Sequence, residues 1–132
     1  MTTVVLSHEN EHFKYLDEGH KVFFGKSKEN LNHFDPIVFA CRDISSVSIP
    51  SIVKYIKTFA FYGCDKLKSV TIDSNSELVS IERNTFSNSA LKNIFIPKSV
   101  KYTHKKAFLD CKNLSKIEFD KDCQLFYIGD YA

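Results

Sequence analysis

Apolar and polar positions alternate in a frame that returns four times along the chain. It reads Ile44-x-x-Val47-x-Ile49, Leu67-x-x-Val70-x-Ile72, Leu91-x-x-Ile94-x-Ile96 and Leu114-x-x-Ile117-x-Phe119. The leading residues lie 23, 24 and 23 apart. Three residues before them stand Cys41, Cys64, Asn88 and Cys111. A longer period of 47 overlies the first, pairing Ile49-Pro50 with Ile96-Pro97, Val53-Lys54-Tyr55 with Val100-Lys101-Tyr102, and Ala60-Phe61 with Ala107-Phe108. In the other phase Leu78 meets Leu125, and Phe39 meets Phe86.

A period of about two dozen residues means stacked coils, because one strand and its return path cannot bury an apolar face alone. The pattern predicts an α/β repeat: a right-handed leucine-rich-repeat solenoid, with a parallel β-sheet on one face and short strand or helical-turn return segments. Within each frame, alternation sends Val47 and Ile49 inward and Ser46 and Ser48 outward. Val53, Ile56 and Phe61 supply the second wall. Cys41, Cys64, Asn88 and Cys111 form a structural ladder at a tight corner. A buried Cys fills a small volume there, and an inward Asn would bond open backbone groups. Four to five coils are expected over residues 22–132.

Residues 1–21 fit the frame poorly. His12–Leu16 and Lys21–Phe24 flank Asp17-Glu-Gly19, a turn signal, which predicts a hairpin capping the first coil. Val22 and Phe24 also fit one more, degenerate coil.

The fuller pattern resembles the BspA-like branch of leucine-rich repeats. Ile49-Pro-Ser-Ile-Val-Lys-Tyr-Ile56 followed by Ala60-Phe-Tyr-Gly-Cys-Asp-Lys-Leu67 carries the likeness, as do Ile96–Tyr102 with Ala107–Leu114, and Ser76-Glu-Leu-Val-Ser-Ile81. The resemblance implies a non-enzymatic protein-binding module of a surface antigen or adhesin. It implies a cell-surface location and a protein partner: a host or matrix protein, or another cell-surface protein. It implies no catalytic residues and no cofactor.

Charge adds little: 18 basic against 16 acidic residues leave a formal charge of +2, which points to no nucleic acid. Apolar runs are too short for a membrane span, and the start lacks the basic segment of a signal peptide. Those absences favour the alternative reading, a cytoplasmic interaction scaffold. The chain stops at Ala132, one residue before the next Phe expected from the 47-residue period, as a truncated solenoid would. Its open end predicts self-association.

The candidate partner surface is the outward side of the strands: Ser46, Ser48, Ser69, Thr71, Asn93, Phe95, Lys116 and Glu118. Phe95 is the large apolar member and the natural anchor. His8-Glu-Asn-Glu-His12 fits the zinc-protease spacing. The acidic Glu11 and the short preceding chain argue against catalysis, so no metal site is expected. The four cysteines form no C-x-x-C and read as free thiols, with a Cys41–Cys64 bridge left open by their adjacency. Lys54, Lys57, Lys101, Lys105 and Lys106 on the return segments read as a solvated face.

Overall fold

The computed structural model describes residues 5–7, 11–16, 19, 21–26 and 33–132. Its elements are β1 (Lys14–Tyr15), β2 (Val22–Phe24), β3 (Pro36–Ala40), β4 (Ser46–Ile49), β5 (Tyr55–Ile56), β6 (Ser69–Ile72), β7 (Ser80–Ile81), β8 (Asn93–Ile96), β9 (Tyr102–Thr103), β10 (Lys116–Phe119) and β11 (Tyr127–Ile128). They form two sheets: a four-stranded one in the order β10-β8-β6-β4, and a seven-stranded one in the order β1-β2-β3-β5-β7-β9-β11. The chain passes from one sheet to the other and back in every coil, and the core lies between them.

The longer strands bear the repeat. Val47 pairs with Val70 and Ile94 with Ile117, and the Ser69–Asn93 pair carries Val70 to the side of Ile94. Parallel register over all four strands makes one continuous inner row. The return wall runs Ile37, Ile56, Ile81, Thr103 and Ile128 in adjacent coils. Ile37, Ile56 and Ile81 are wholly buried, as are Val53, Phe61, Leu67, Leu78, Phe86 and Leu91. Each such side chain contributes roughly 1.5–3 kcal/mol. Phe61, Phe86 and Phe108 stack face to face, with centroids 5.2 and 5.6 Å apart and planes inclined by 12° and 10°. The two walls keep different counts. Inner-row members are 23, 24 and 23 residues apart, whereas Ile56, Ile81, Thr103 and Ile128 are 25, 22 and 25 apart.

Three expectations are corrected. No α-helix occurs among the described residues, so the α/β class and the helical turns give way to an all-β solenoid. Two-residue strands and hydrogen-bonded turns make the return path: five or seven residues lead from each long strand to the next short one, and the eleven or twelve that follow β5, β7 and β9 run through turns closed by backbone hydrogen bonds. β2 is not a degenerate coil. It runs antiparallel to both β1 and β3, so the residues from 22 onward begin as the second arm of a hairpin. Phe39 does not join the Phe86 stack. Against β2, strand β3 carries one extra residue at the Phe23–Phe24 step, and this bulge turns Phe39 away from the core, against Phe23 (5.8 Å) and under the Arg42 guanidinium (5.2 Å).

The hairpin packs on the first coil. Val22 and Phe24 enter the core, and the Cys41 N–H donates to the Lys21 carbonyl at 2.7 Å. Lys21 Nζ also donates to Asp43 Oδ2 at 2.7 Å, and that hydrogen bond holds the carboxyl below the usual aspartate range, against partial desolvation.

Candidate functional site

The outward face of the four-stranded sheet is built by alternation alone. β4 and β6 show exposed-buried-exposed-buried patterns, so Ser46, Ser48, Ser69 and Thr71 project outward. Register aligns Ser46, Ser69, Asn93 and Lys116 in one row. Ser48 lies beside Thr71, and Phe95 beside Glu118, in the next. Phe95 is half-buried and not fully exposed as expected. Glu118 and Lys116 pair with each other, so the two charges among these outward strand residues cancel. What remains is a hydroxyl-rich surface around one aromatic ring, able to accept and donate hydrogen bonds.

The corner ladder differs from expectation at one member. Cys41, Cys64 and Cys111 are buried, but Asn88 is exposed and takes a left-handed φ of 59°. Ser89 fills the inward place. Its N–H donates to the Phe86 carbonyl, as those of Cys64 and Cys111 donate to Phe61 and Phe108. Asn88 is the counterpart of Gly63 (φ 67°) and Asp110 (φ 57°). Asn, Asp and Gly tolerate that conformation best. The coil is one residue shorter between corner and strand, so counting back from Leu91 lands one position early.

The thiols are structural. Cys64 Sγ donates to the Cys41 carbonyl (3.9 Å) and Cys111 Sγ to the Phe86 carbonyl (3.0 Å), each tying a coil to the one before it. Burial pushes both thiols up, outweighing the Arg42 guanidinium at Cys64 and the Ser89 contact at Cys111. Protonated sulfur is a poor nucleophile. None of the four cysteines is joined in a disulfide, and Cys123 is the half-buried one.

The remaining candidates are dispersed. His8 and Glu9 lie outside the described residues, and His12 is exposed. Among the described residues no three His, Cys, Asp or Glu side chains gather as a metal site, and no helix is long and apolar enough to cross a membrane. Tyr55 and Tyr102 are separated by Ser80 and do not stack on each other. Tyr102 instead packs by His104 and Phe126. Lys57 is held by Glu82 at 2.8 Å. Counting by repeats missed Phe59 and Tyr62, two exposed aromatics in edge-to-face contact at a corner.

Comparison with known proteins agrees with this geometry. The profile described as "BspA type Leucine rich repeat region" matches residues 32–132 in 6 copies. No curated protein matches convincingly. Among solved structures, the pneumococcal vaccine antigen PcpA is similar over 77% of this chain, with 28% identity and a TM-score of 0.59. This chain spans only 23% of that antigen. A leucine-rich repeat protein from Bacteroides capillosus shares the fold, with 23% identity and a TM-score of 0.57 over 74% of this chain and 72% of that one.

Proposed function

Because the chain belongs to the BspA-type leucine-rich repeat family, we propose that it is a non-catalytic module of a surface antigen or adhesin, which binds a host, matrix or cell-surface protein through the outward face of its four-stranded sheet. The observation that carries this reading is the face itself. Ser46, Ser48, Ser69, Thr71 and Asn93 surround the half-buried Phe95, and the Lys116–Glu118 pair closes one side without net charge. Solenoids bind along such extended faces, and an aromatic ringed by small polar groups suits an interface centre. The similarity to a vaccine antigen supports a surface setting. We read the β1–β2 hairpin as the cap and the following coils as the binding unit.

The test is surface plasmon resonance against a panel of immobilised extracellular-matrix proteins. At least one is expected to bind, and Phe95→Ala and Thr71→Lys each to weaken that binding about tenfold or more. Binding unchanged by both substitutions would place the interface elsewhere.

One observation favours a second reading. The buried cysteines are all unbridged, as in proteins kept in a reducing compartment. An intracellular interaction scaffold fits that pattern, and surface labelling of intact cells separates the two. Self-association belongs to either reading. β10 and β11 are the last strands of their sheets, and they present Phe119, Ile117 and Ile128 to solvent. Sedimentation of the purified chain at rising concentration measures it.

A further inference from the structure

After each return strand the chain turns through a left-handed residue: Phe59, Asn84, Lys106 and Tyr131, with φ of 62°, 54°, 60° and 56°. Adjacent coils are tied at this corner. The N–H groups of Phe59, Asn84 and Lys106 donate to the carbonyls of Arg83, Lys105 and Asp130 at 3.1, 3.3 and 3.0 Å. Arg83, Lys105 and Lys106 therefore line up beside Phe59 along one edge of the solenoid.

Asparagine adopts this conformation readily, but a bulky side chain there is a genuine outlier. Phe59 gains little from the core in return. It is 47% exposed, and among the described aromatic rings it pairs with Tyr62, itself 39% exposed, with centroids 5.4 Å apart at 85°. The residue 47 positions on is Lys106, so an aromatic ring stands where the matching position of the next doublet carries a cation, and the column reads aromatic, Asn84, Lys106 and then Tyr131. Glu82, held beside Phe59 through Thr58, is already engaged by Lys57 Nζ and by the Thr58 N–H and hydroxyl. Asp130 lies beyond Lys106 at the far end of the edge. Between Phe59 and Lys106 the edge is thus positive, with an aromatic pair at one end and the exposed Arg83 and Lys105 beyond it.

We propose that this corner docks an acidic peptide segment of a partner protein. One apolar side chain of that segment would seat against Phe59 and Tyr62, and its carboxylates would reach Arg83, Lys105 and Lys106. Aromatic and arginine side chains dominate interface energetics, and complementary charge sets approach and orientation. The proposal rests on the protein-binding reading but uses a surface separate from the sheet face.

The experiment is selection of a random peptide display library on the intact protein. The selected peptides are then measured against Phe59→Gly, Tyr62→Ser, Arg83→Glu and, as a control on the sheet face, Phe95→Ala. Enriched peptides should be acidic with an aliphatic or aromatic residue. They should bind Phe59→Gly and Arg83→Glu about tenfold or more weakly, keep their affinity for Phe95→Ala, and weaken as salt rises. The melting temperature of Phe59→Gly should be unchanged or higher, since glycine suits the left-handed backbone. Several outcomes would overturn the proposal: no enrichment, peptides without acidic excess, affinity for Phe59→Gly and Tyr62→Ser equal to that for the parent protein, or a melting temperature lowered by that glycine. Peptides lost only on Phe95→Ala would return the interface to the sheet face.

Discussion

Replacing Phe86 by alanine tests whether the coils share one interior. Phe86 is wholly buried in the third of the four full coils, and its ring stacks on Phe61 at 5.2 Å and on Phe108 at 5.6 Å. Truncating a buried Phe to Ala costs about 3–5 kcal/mol, the spread reflecting how far the site collapses. Here collapse is restrained, because the hydrogen bonds from the Phe61 and Phe86 N–H groups to the Thr85 and Ala107 carbonyls fix the spacing of the coils. The two aromatic contacts, about 0.5–1.5 kcal/mol each, are part of that cost and place it near its upper end, about 4–5 kcal/mol. For a chain of this length that lowers Tm by about 12–20 °C. Urea unfolding followed by circular dichroism measures the loss, with Phe126→Ala, at an 82% exposed ring, as the control expected within about 0.5 kcal/mol of the parent. A broken mid-array contact should also shrink the urea m-value, as the coils on either side uncouple. Loss of less than about 1 kcal/mol, or a value equal to the Phe126 control, would refute a shared interior.

Two further outcomes follow. At the corner, Asn88→Gly should leave stability within about 0.5 kcal/mol, while Asn88→Val should cost about 1–2 kcal/mol through its left-handed backbone. Ser89→Cys should be tolerated within about 1 kcal/mol, completing the buried ladder, and equilibrium unfolding of the three variants checks the assignment. At the hairpin, the native Asp43 carboxyl titrates below its unfolded value, so its contribution is present above the ordinary aspartate range and disappears as pH falls through the lowered native one. Asp43→Asn should therefore speed hydrogen exchange of the β1 and β2 amides near neutral pH, and should make no difference in strong acid.

The coils were legible because alternation and a fixed period act together. A one-residue slip would throw Val47, Val70, Ile94 and Ile117 onto the solvent side, so only one register buries them. The outward face was legible by the same rule. The return path was not, since short strands and turns share a composition and no periodicity distinguishes them over two residues. Ser89 was hidden because Asn88 stood at the counted position, although Phe86, two residues earlier where Phe61 and Phe108 stand three before their cysteines, already marked the shorter coil. Phe59 was hidden for a different reason. It sits beside the Ala60-Phe61 step that recurs at Ala107-Phe108, and only its misfit with Lys106, 47 residues on, signals an exposed ring. Backbone φ values are invisible in composition.

The unequal spacing of the two walls restricts how this solenoid changes length. Deleting or copying one coil would set two long returns, or two short ones, side by side, and would break the Phe61–Phe86–Phe108 column or the corner below it. A step of 47 residues leaves both walls in phase, since Val47 to Ile94 and Ile56 to Thr103 span that same distance. The heritable building block is therefore the doublet. Shortened or extended forms of this molecule should differ by whole doublets, which also gives the natural cut points for grafting its coils onto another solenoid.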